Sequence, residues 1–262
     1  MRKIILGELK NIEKEERVII LYAVEAGSRA WGYQTDESDY DVRFIYIREV
    51  TAYLNLQETK DVIVKSTHDS IEFSGWDLSK ALKLLRKSNP SLMEWLTNEN
   101  VYRELSVIKK IRELGDMTFS PASCLIHYNQ MAKRNIEKYL NEDTKDLKKW
   151  MTIIRPWLAC KWIEEFQTFP PNGVNEMIYH ININEGMKDT ISSMIRARVN
   201  GKEVPNPIVR NFEDYIRNDL LIMNGTLENL HMDDSFQWGH INETFITILE
   251  DVWGMHLYGK ER

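Results

Sequence analysis

Hydrophobic positions fall in two regimes along the chain. The first begins with Val18-Ile19-Ile20-Leu21-Tyr22-Ala23-Val24, a continuous apolar run of strand length. Such a run suits a strand buried on both faces. Gly27-Ser28 breaks it, Arg29 to Tyr33 has the composition of a short helical turn, and Thr35-Asp36-Glu37-Ser38 is turn chemistry. A second strand is expected from about Asp39 to Ile47, and further strands at Asp61–Val64 and Ser70–Phe73. The first fifty or so residues thus read as strand, loop, strand.

The period then changes to that of a helix. Asp77 is a suitable N-cap for a helix from Leu78 to about Lys87, whose apolar stripe is Leu78, Ala81, Leu82 and Leu85. Asn89-Pro90 reads as the cap and first residue of a second helix. From about residue 120 the chain reads as mostly helical, with segments near 122–140, 144–167, 186–199, 207–230 and 242–253. Pro156 falls inside one of these and is expected to kink it. Pro170-Pro171 and Pro205-Asn206-Pro207 mark loops. The plausible boundary is Leu114-Gly115-Asp116, which gives a mixed strand and helix domain over 1–115 and a helical domain over 116–262.

Composition narrows the classes. The 262 residues carry 34 basic and 40 acidic side chains, a net charge of −6, which argues against a general nucleic-acid coat protein. The two cysteines, Cys124 and Cys160, have no CxxC spacing, so neither a zinc site nor a disulfide framework is expected. The N-terminus meets charge too early for a secretory leader, and no apolar run approaches the ~20 residues needed to span a bilayer. These features predict a cytoplasmic protein in a reducing compartment, with no membrane partner; they leave the oligomeric state open.

The chemistry lies between the first two strands. If Asp39 and Asp41 share a strand, both carboxylates project to one side, about 6.6–7 Å apart along it. Two carboxylates there suit a pair of hard divalent cations, since magnesium takes few carboxylates and completes its shell with substrate phosphates and water. Gly27 allows close backbone approach to a phosphate, Ser28 adds a hydroxyl, and the backbone N–H groups of the following turn favour anions. Arg29 and Arg43 are the nearby candidates for further positive charge. A third acid is usually needed. Glu72, on the strand before Gly75-Trp76-Asp77, is the choice. Asp77 is better explained as a helix cap, and Asp69 would point to the opposite face of a regular strand.

Other groups have blander readings beside the functional ones. Lys80, Lys83, Arg86 and Lys87 would line an acceptor groove, but a solvated helix face accounts for them better. Lys148 and Lys149, with Arg155 farther along, are candidates to reach a triphosphate across a cleft, although helical lysines usually face solvent. Trp76 and Trp95 suit base stacking less well than core packing. His68 and His127 have no metal-binding pattern.

The segments Gly27-Ser28-Arg29-Ala30-Trp31-Gly32 and Ser38-Asp39-Tyr40-Asp41-Val42-Arg43 resemble the polymerase-beta superfamily of nucleotidyltransferases. More narrowly, they are similar to the RlaP-like proteins, predicted nucleotidyltransferases associated with RNA repair. Gly75-Trp76-Asp77-Leu78, Lys80-Ala81-Leu82, Asn89-Pro90-Ser91, Glu94-Trp95-Leu96, Arg155-Pro156 and Leu158-Ala159 resemble the later blocks of that family, so the likeness covers about residues 18–165. It implies an α+β fold: a mixed sheet flanked by helices, then a mostly helical domain. It assigns metal ligation to Asp39 and Asp41, and the triphosphate to Gly27 and Ser28. The third carboxylate falls on Glu72, where relatives often have aspartate. The expected chemistry is nucleotidyl transfer from a nucleoside triphosphate, such as ATP, with two magnesium ions or manganese in their place. The acceptor is left open between an RNA end, a protein and a small molecule. A non-catalytic nucleotide-binding module is the alternative from another class.

Overall fold

The computed structural model describes residues 1–57, 59–67, 70–139, 146–202, 206–227 and 238–257. His68, Asp69 and Pro205, together with the ends of the expected helices at 140, 144–145 and 228–230, lie outside the described residues. The chain is of the α+β class. Its elements run α1 (Arg2–Glu16), β1 (Val18–Ala26), α2 (Gly27–Trp31), β2 (Tyr40–Arg48), α3 (Val50–Tyr53), β3 (Val62–Thr67), β4 (Ile71–Asp77), α4 (Leu78–Leu85), α5 (Pro90–Leu96), β5 (Val101–Glu104) and α6 (Ile108–Thr118). Then follow α7 (Pro121–Tyr139), α8 (Leu147–Phe166), α9 (Val174–His180), α10 (Glu185–Val199), α11 (Asn206–Leu227) and α12 (Trp238–Trp253). No described helix is long and apolar enough to cross a membrane.

The chain divides into two compact units. The first takes residues 1–30, 39–119 and 235–262; the second takes 31–38 and 120–234. Division in chain order at residue 115 would leave α12 with the helices that precede it, but α12 belongs to the first unit, where it packs on α4 and α6. Polar contacts help to hold it there. Trp253 Nε1 donates to the Arg48 carbonyl at 3.1 Å, and Lys110 Nζ pairs with Asp251 at 2.7 Å.

In the first unit the strands form one mixed sheet, order β3-β4-β2-β1-β5, in which only the β2–β4 pair is parallel. One face is closed by α1, whose Ile5, Leu9 and Ile12 recur at helical spacing and pack on Ile20, Val42, Phe44, Tyr46 and Phe73. The other face is covered towards the C-terminal end of β2 by α4, capped as expected by Asp77, whose carboxylate accepts from Ser79 N at 2.8 Å. Side chains alternate across the pleat. Val42, Phe44 and Tyr46 therefore face α1, while Asp41, Arg43 and Ile45 face the other way. Gly75 is required where β4 passes the Phe44 ring, since a Cβ there would lie 2.1 Å from Phe44 Cε2.

The second unit is built on α8, which buries residues on most of its sides, among them Trp150, Ile154, Trp157 and Leu158. It packs against α7, and Phe212 of α11 touches both tryptophans. Pro156 has no N–H for the Thr152 carbonyl one turn back. Asn135 Nδ2 of α7 supplies that donor at 2.7 Å, and the helix continues to Phe166. Cys124 and Cys160 are both buried and reduced.

Candidate active site

Strand β1 ends at Ala26, and Gly27 turns the chain with φ +63°, a left-handed conformation that L side chains rarely adopt. The adjacent strand places Asp41 directly opposite Ala26. The approach is so close that a Cβ on Gly27 would stand 2.0 Å from Asp41 Oδ2. Glycine is therefore required here twice over, for φ and for space. Ser28, half-buried, follows as the second residue of the single turn α2.

The parallel register of β2 and β4 sets Asp41 beside Glu72 and Arg43 beside Ser74. Arg43 joins the two acids. Its guanidinium reaches Asp41 Oδ1 at 3.1 Å and Glu72 Oε1 at 2.8 Å. The carboxylates of neighbouring strands thus converge on one positive centre at an open part of the sheet face. Asp41 and Arg43 are about a quarter exposed and Glu72 about half, at 26, 21 and 49%. Pairs this accessible contribute little to stability, so the cluster organises charge more than it holds the fold.

β2 begins at Tyr40, so Asp39 stands one residue before it, whereas Asp41 lies within the strand. The Asp39 side chain is exposed, and its carbonyl accepts from Arg29 Nε at 3.2 Å. Arg29 lies over the Tyr40 ring, with its guanidinium carbon 3.8 Å from the centroid. Lys148 belongs to the second unit, where it is exposed in the first turn of α8 and its backbone N–H is capped by Asp146. Asp77 is buried and fully engaged, accepting from Ser79 N and from Tyr53 Oη at 2.9 Å, as a cap should be. Trp76 and Trp95 stack on each other at 4.0 Å, and Trp95 is buried, in keeping with a core role.

Sequence reasoning missed Glu25. It reads as one polar residue closing an apolar strand, yet it is 4% exposed. Its Oε1 accepts the backbone N–H of Asp41 at 2.9 Å, and its other oxygen accepts from Tyr102 Oη. Asn98 donates to its carbonyl. Burial, the dominant influence, raises the Glu25 carboxyl above its usual range, and the bonds from Tyr102 and the Asp41 N–H oppose the rise. Tyr102 is itself driven upward by burial and by the neighbouring carboxylate. Glu25 thus anchors the backbone from which Asp41 projects. Glu25→Ala should cost about 1–3 kcal/mol in thermal or denaturant unfolding, because two partly buried donors lose their acceptor. Glu25→Gln, which can accept from Asp41 N–H and donate to Tyr102, should recover most of it. Equal loss in both would mean that the charge, and not the bonding pattern, matters.

Among the described residues no three His, Cys, Asp or Glu side chains lie close enough to share one ion. The fit to magnesium rests on fewer protein ligands. Asp41 and Glu72 are hard oxygen donors already converging on a cation, and magnesium is commonly held by one or two carboxylates with phosphates and water supplying the rest. The donor set fits.

A model of the family described as "RlaP: RNA repair pathway DNA polymerase beta family" matches residues 1–247. The "Uncharacterized protein YcgL" of Bacillus subtilis (strain 168) is 34% identical over 255 residues, covering 97% of this chain and 98% of the relative. Among solved structures, a nucleotidyltransferase-like protein from Exiguobacterium sibiricum 255-15 aligns over 97% of this chain and 79% of its own, with 10% identity and a TM-score of 0.30.

Proposed function

The chain belongs to the RlaP family of the polymerase-beta type, and on that premise we propose that it transfers a nucleoside monophosphate from a nucleoside triphosphate to a hydroxyl acceptor. The observation that carries this reading is the convergence of Asp41 and Glu72 on Arg43, directly against the Gly27 turn. Nucleotidyl transfer asks little covalent chemistry of a protein. It requires an acceptor oxygen in line with the α-phosphate and neutralisation of charge on the departing pyrophosphate.

The residues divide that work. Gly27, lacking a Cβ, lets backbone and phosphate approach each other, and the Ser28 hydroxyl donates to the β- or γ-phosphate. Asp41 and Glu72, with Asp39 as a further oxygen donor, would hold magnesium or manganese. That ion would supply charge neutralisation on the triphosphate and lower the pKa of the acceptor hydroxyl. Arg43 aligns both carboxylates and adds fixed positive charge beside the phosphates, while Arg29 braces the segment between turn and strand. Glu25 keeps the Asp41 backbone from drifting. The family description favours an RNA end as the acceptor.

The test is incubation of the full chain with each α-labelled nucleoside triphosphate, magnesium and cellular RNA. Label should enter a ribonuclease-sensitive product with release of pyrophosphate. Chelation should abolish transfer and added magnesium or manganese should restore it. Transfer that persists under chelation would remove the metal from the scheme, and absence of transfer to RNA, protein and small-molecule fractions alike would leave a nucleotide-binding module.

A further inference from the structure

The first unit contains a second site with its own chemistry, at the opposite end of β4. Glu72 is the second residue of that strand and Asp77 the last, a separation of about 17 Å by strand rise. Around Asp77 lies a cavity of about 590 Å³, within the range of small-molecule sites. Its walls come from α3, the loop between α3 and β3, the first turns of α4, and α12.

The acids in this cavity are already occupied. Asp77 accepts from Ser79 N and Tyr53 Oη, and Asp61 pairs with Lys80 at 3.0 Å. The cations are not. Lys60 and Lys83 are exposed, and neither has an ion pair among the described residues. The spare charge is therefore positive. Aromatic surface lies beside it. Tyr53 and Phe245 meet edge to face at 5.1 Å, and Trp238, 47% exposed, is backed by the Arg86 guanidinium at 4.6 Å from its ring. Asn55, Gln57 and Asn242 add amides, which both donate and accept.

Exposed indole, lysines with no ion pair among the described residues, and amides together match one kind of ligand: a planar heteroaromatic ring carrying a phosphate. We propose that this cavity binds a nucleotide unit, with its base against Trp238 and Phe245, its ring edge read by the amides, and its phosphate on Lys60 and Lys83. The unit is either a free mononucleotide or one nucleotide of a single strand of RNA. The site is independent of the Asp41 centre and does not rest on its activity.

Binding is measured on the full chain with EDTA present and no triphosphate, so that failure of the proposed transfer reaction has no bearing on it. The probes are AMP and a labelled RNA octamer of mixed sequence. Base–aromatic stacking at one residue predicts at least about tenfold weaker binding in Trp238→Ala. Lys83→Ala should reduce the salt slope for the octamer by about 0.7, as expected for one lost phosphate contact on a single strand. Lys3→Ala, exposed on α1, should leave both probes unaffected. Thermal unfolding of each variant checks that it is folded, and Asn242→Ala, at an exposed helical position, serves if Trp238→Ala is not. Saturable AMP binding identifies a free nucleotide; binding of the octamer alone identifies a strand. Photocrosslinks on α3 or α12 agree with either. No binding of either probe, or binding unchanged in the folded variants, overturns the assignment.

Discussion

Gly27→Ala should lower nucleotidyl transfer by about a hundredfold or more while leaving a folded protein. The methyl group would stand 2.0 Å from Asp41 Oδ2, a distance that real Cβ atoms essentially never show, and 3.0 Å from Asp41 Cγ. The carboxylate cannot accept this by a small rotation alone. Its other oxygen is bonded to Arg43, and its backbone N–H is bonded to buried Glu25. Either the side chain swings out of the Arg43–Glu72 cluster or the turn opens. Misplacement of a reacting group by about 1 Å can cost a hundredfold in rate. Alanine also carries a penalty of about 1–2 kcal/mol for the left-handed conformation at φ +63°. Thermal unfolding should therefore show a loss of one to a few kcal/mol. Gly7→Ala is the control, because it lies within α1 with nothing near its new Cβ, and should stabilise by about 0.5–1 kcal/mol. Full transfer activity in Gly27→Ala would show that the Gly27–Asp41 contact is not part of the working site.

The sequence carries its signals unevenly, for physical reasons. The apolar run at 18–24 and the Asp77 and Asn89 caps are local features, and they appear as β1, α4 and α5 nearly as expected. Pro156 falls inside its helix as expected, and the Thr152 carbonyl one turn back accepts a bond from Asn135 on a neighbouring helix, which no local rule supplies. Helix α1 was passed over although Ile5, Leu9 and Ile12 mark one face at spacings of four and three residues. Strand β5 is four residues long, too short to stand out from its surroundings.

The candidate site shows the same division. Gly27, Asp41, Arg43 and Glu72 were recognisable from residue type and order. Their grouping depends on the parallel pairing of β2 with β4, which is set by the whole sheet. Glu25 was hidden because its role is to satisfy a backbone N–H sixteen positions away, and its only signal was a charged residue inside an apolar strand. Asp39 is assigned by alternation and by the family motif, and it stands one residue before β2, while Asp41 lies within the strand beside Glu72.

That difference makes Asp41→Asn the decisive substitution, with Asp39→Asn and Glu72→Gln as its comparators. Asparagine keeps the shape of Asp41 and removes its charge. Stability should change by no more than about 1 kcal/mol, since the Arg43 pair is partly exposed and screened. Transfer should fall by about a thousandfold, or roughly 4 kcal/mol, the scale on which a bound divalent ion stabilises transition-state charge. The comparators separate two arrangements of the same acids. If the strand partners Asp41 and Glu72 form the working pair, Glu72→Gln should approach the loss in Asp41→Asn, and Asp39→Asn should lose less. If Asp39 and Asp41 form it, the order of the comparators reverses. Steady-state kcat and KM, taken at saturating and at limiting magnesium, distinguish loss of a ligand from loss of orientation. A missing ligand is partly offset by raising the metal concentration, whereas a disturbed orientation lowers kcat at every concentration. Unchanged transfer in both Asp41→Asn and Glu72→Gln would remove the carboxylate pair from the reaction, leaving the convergence on Arg43 as an ordinary surface ion pair.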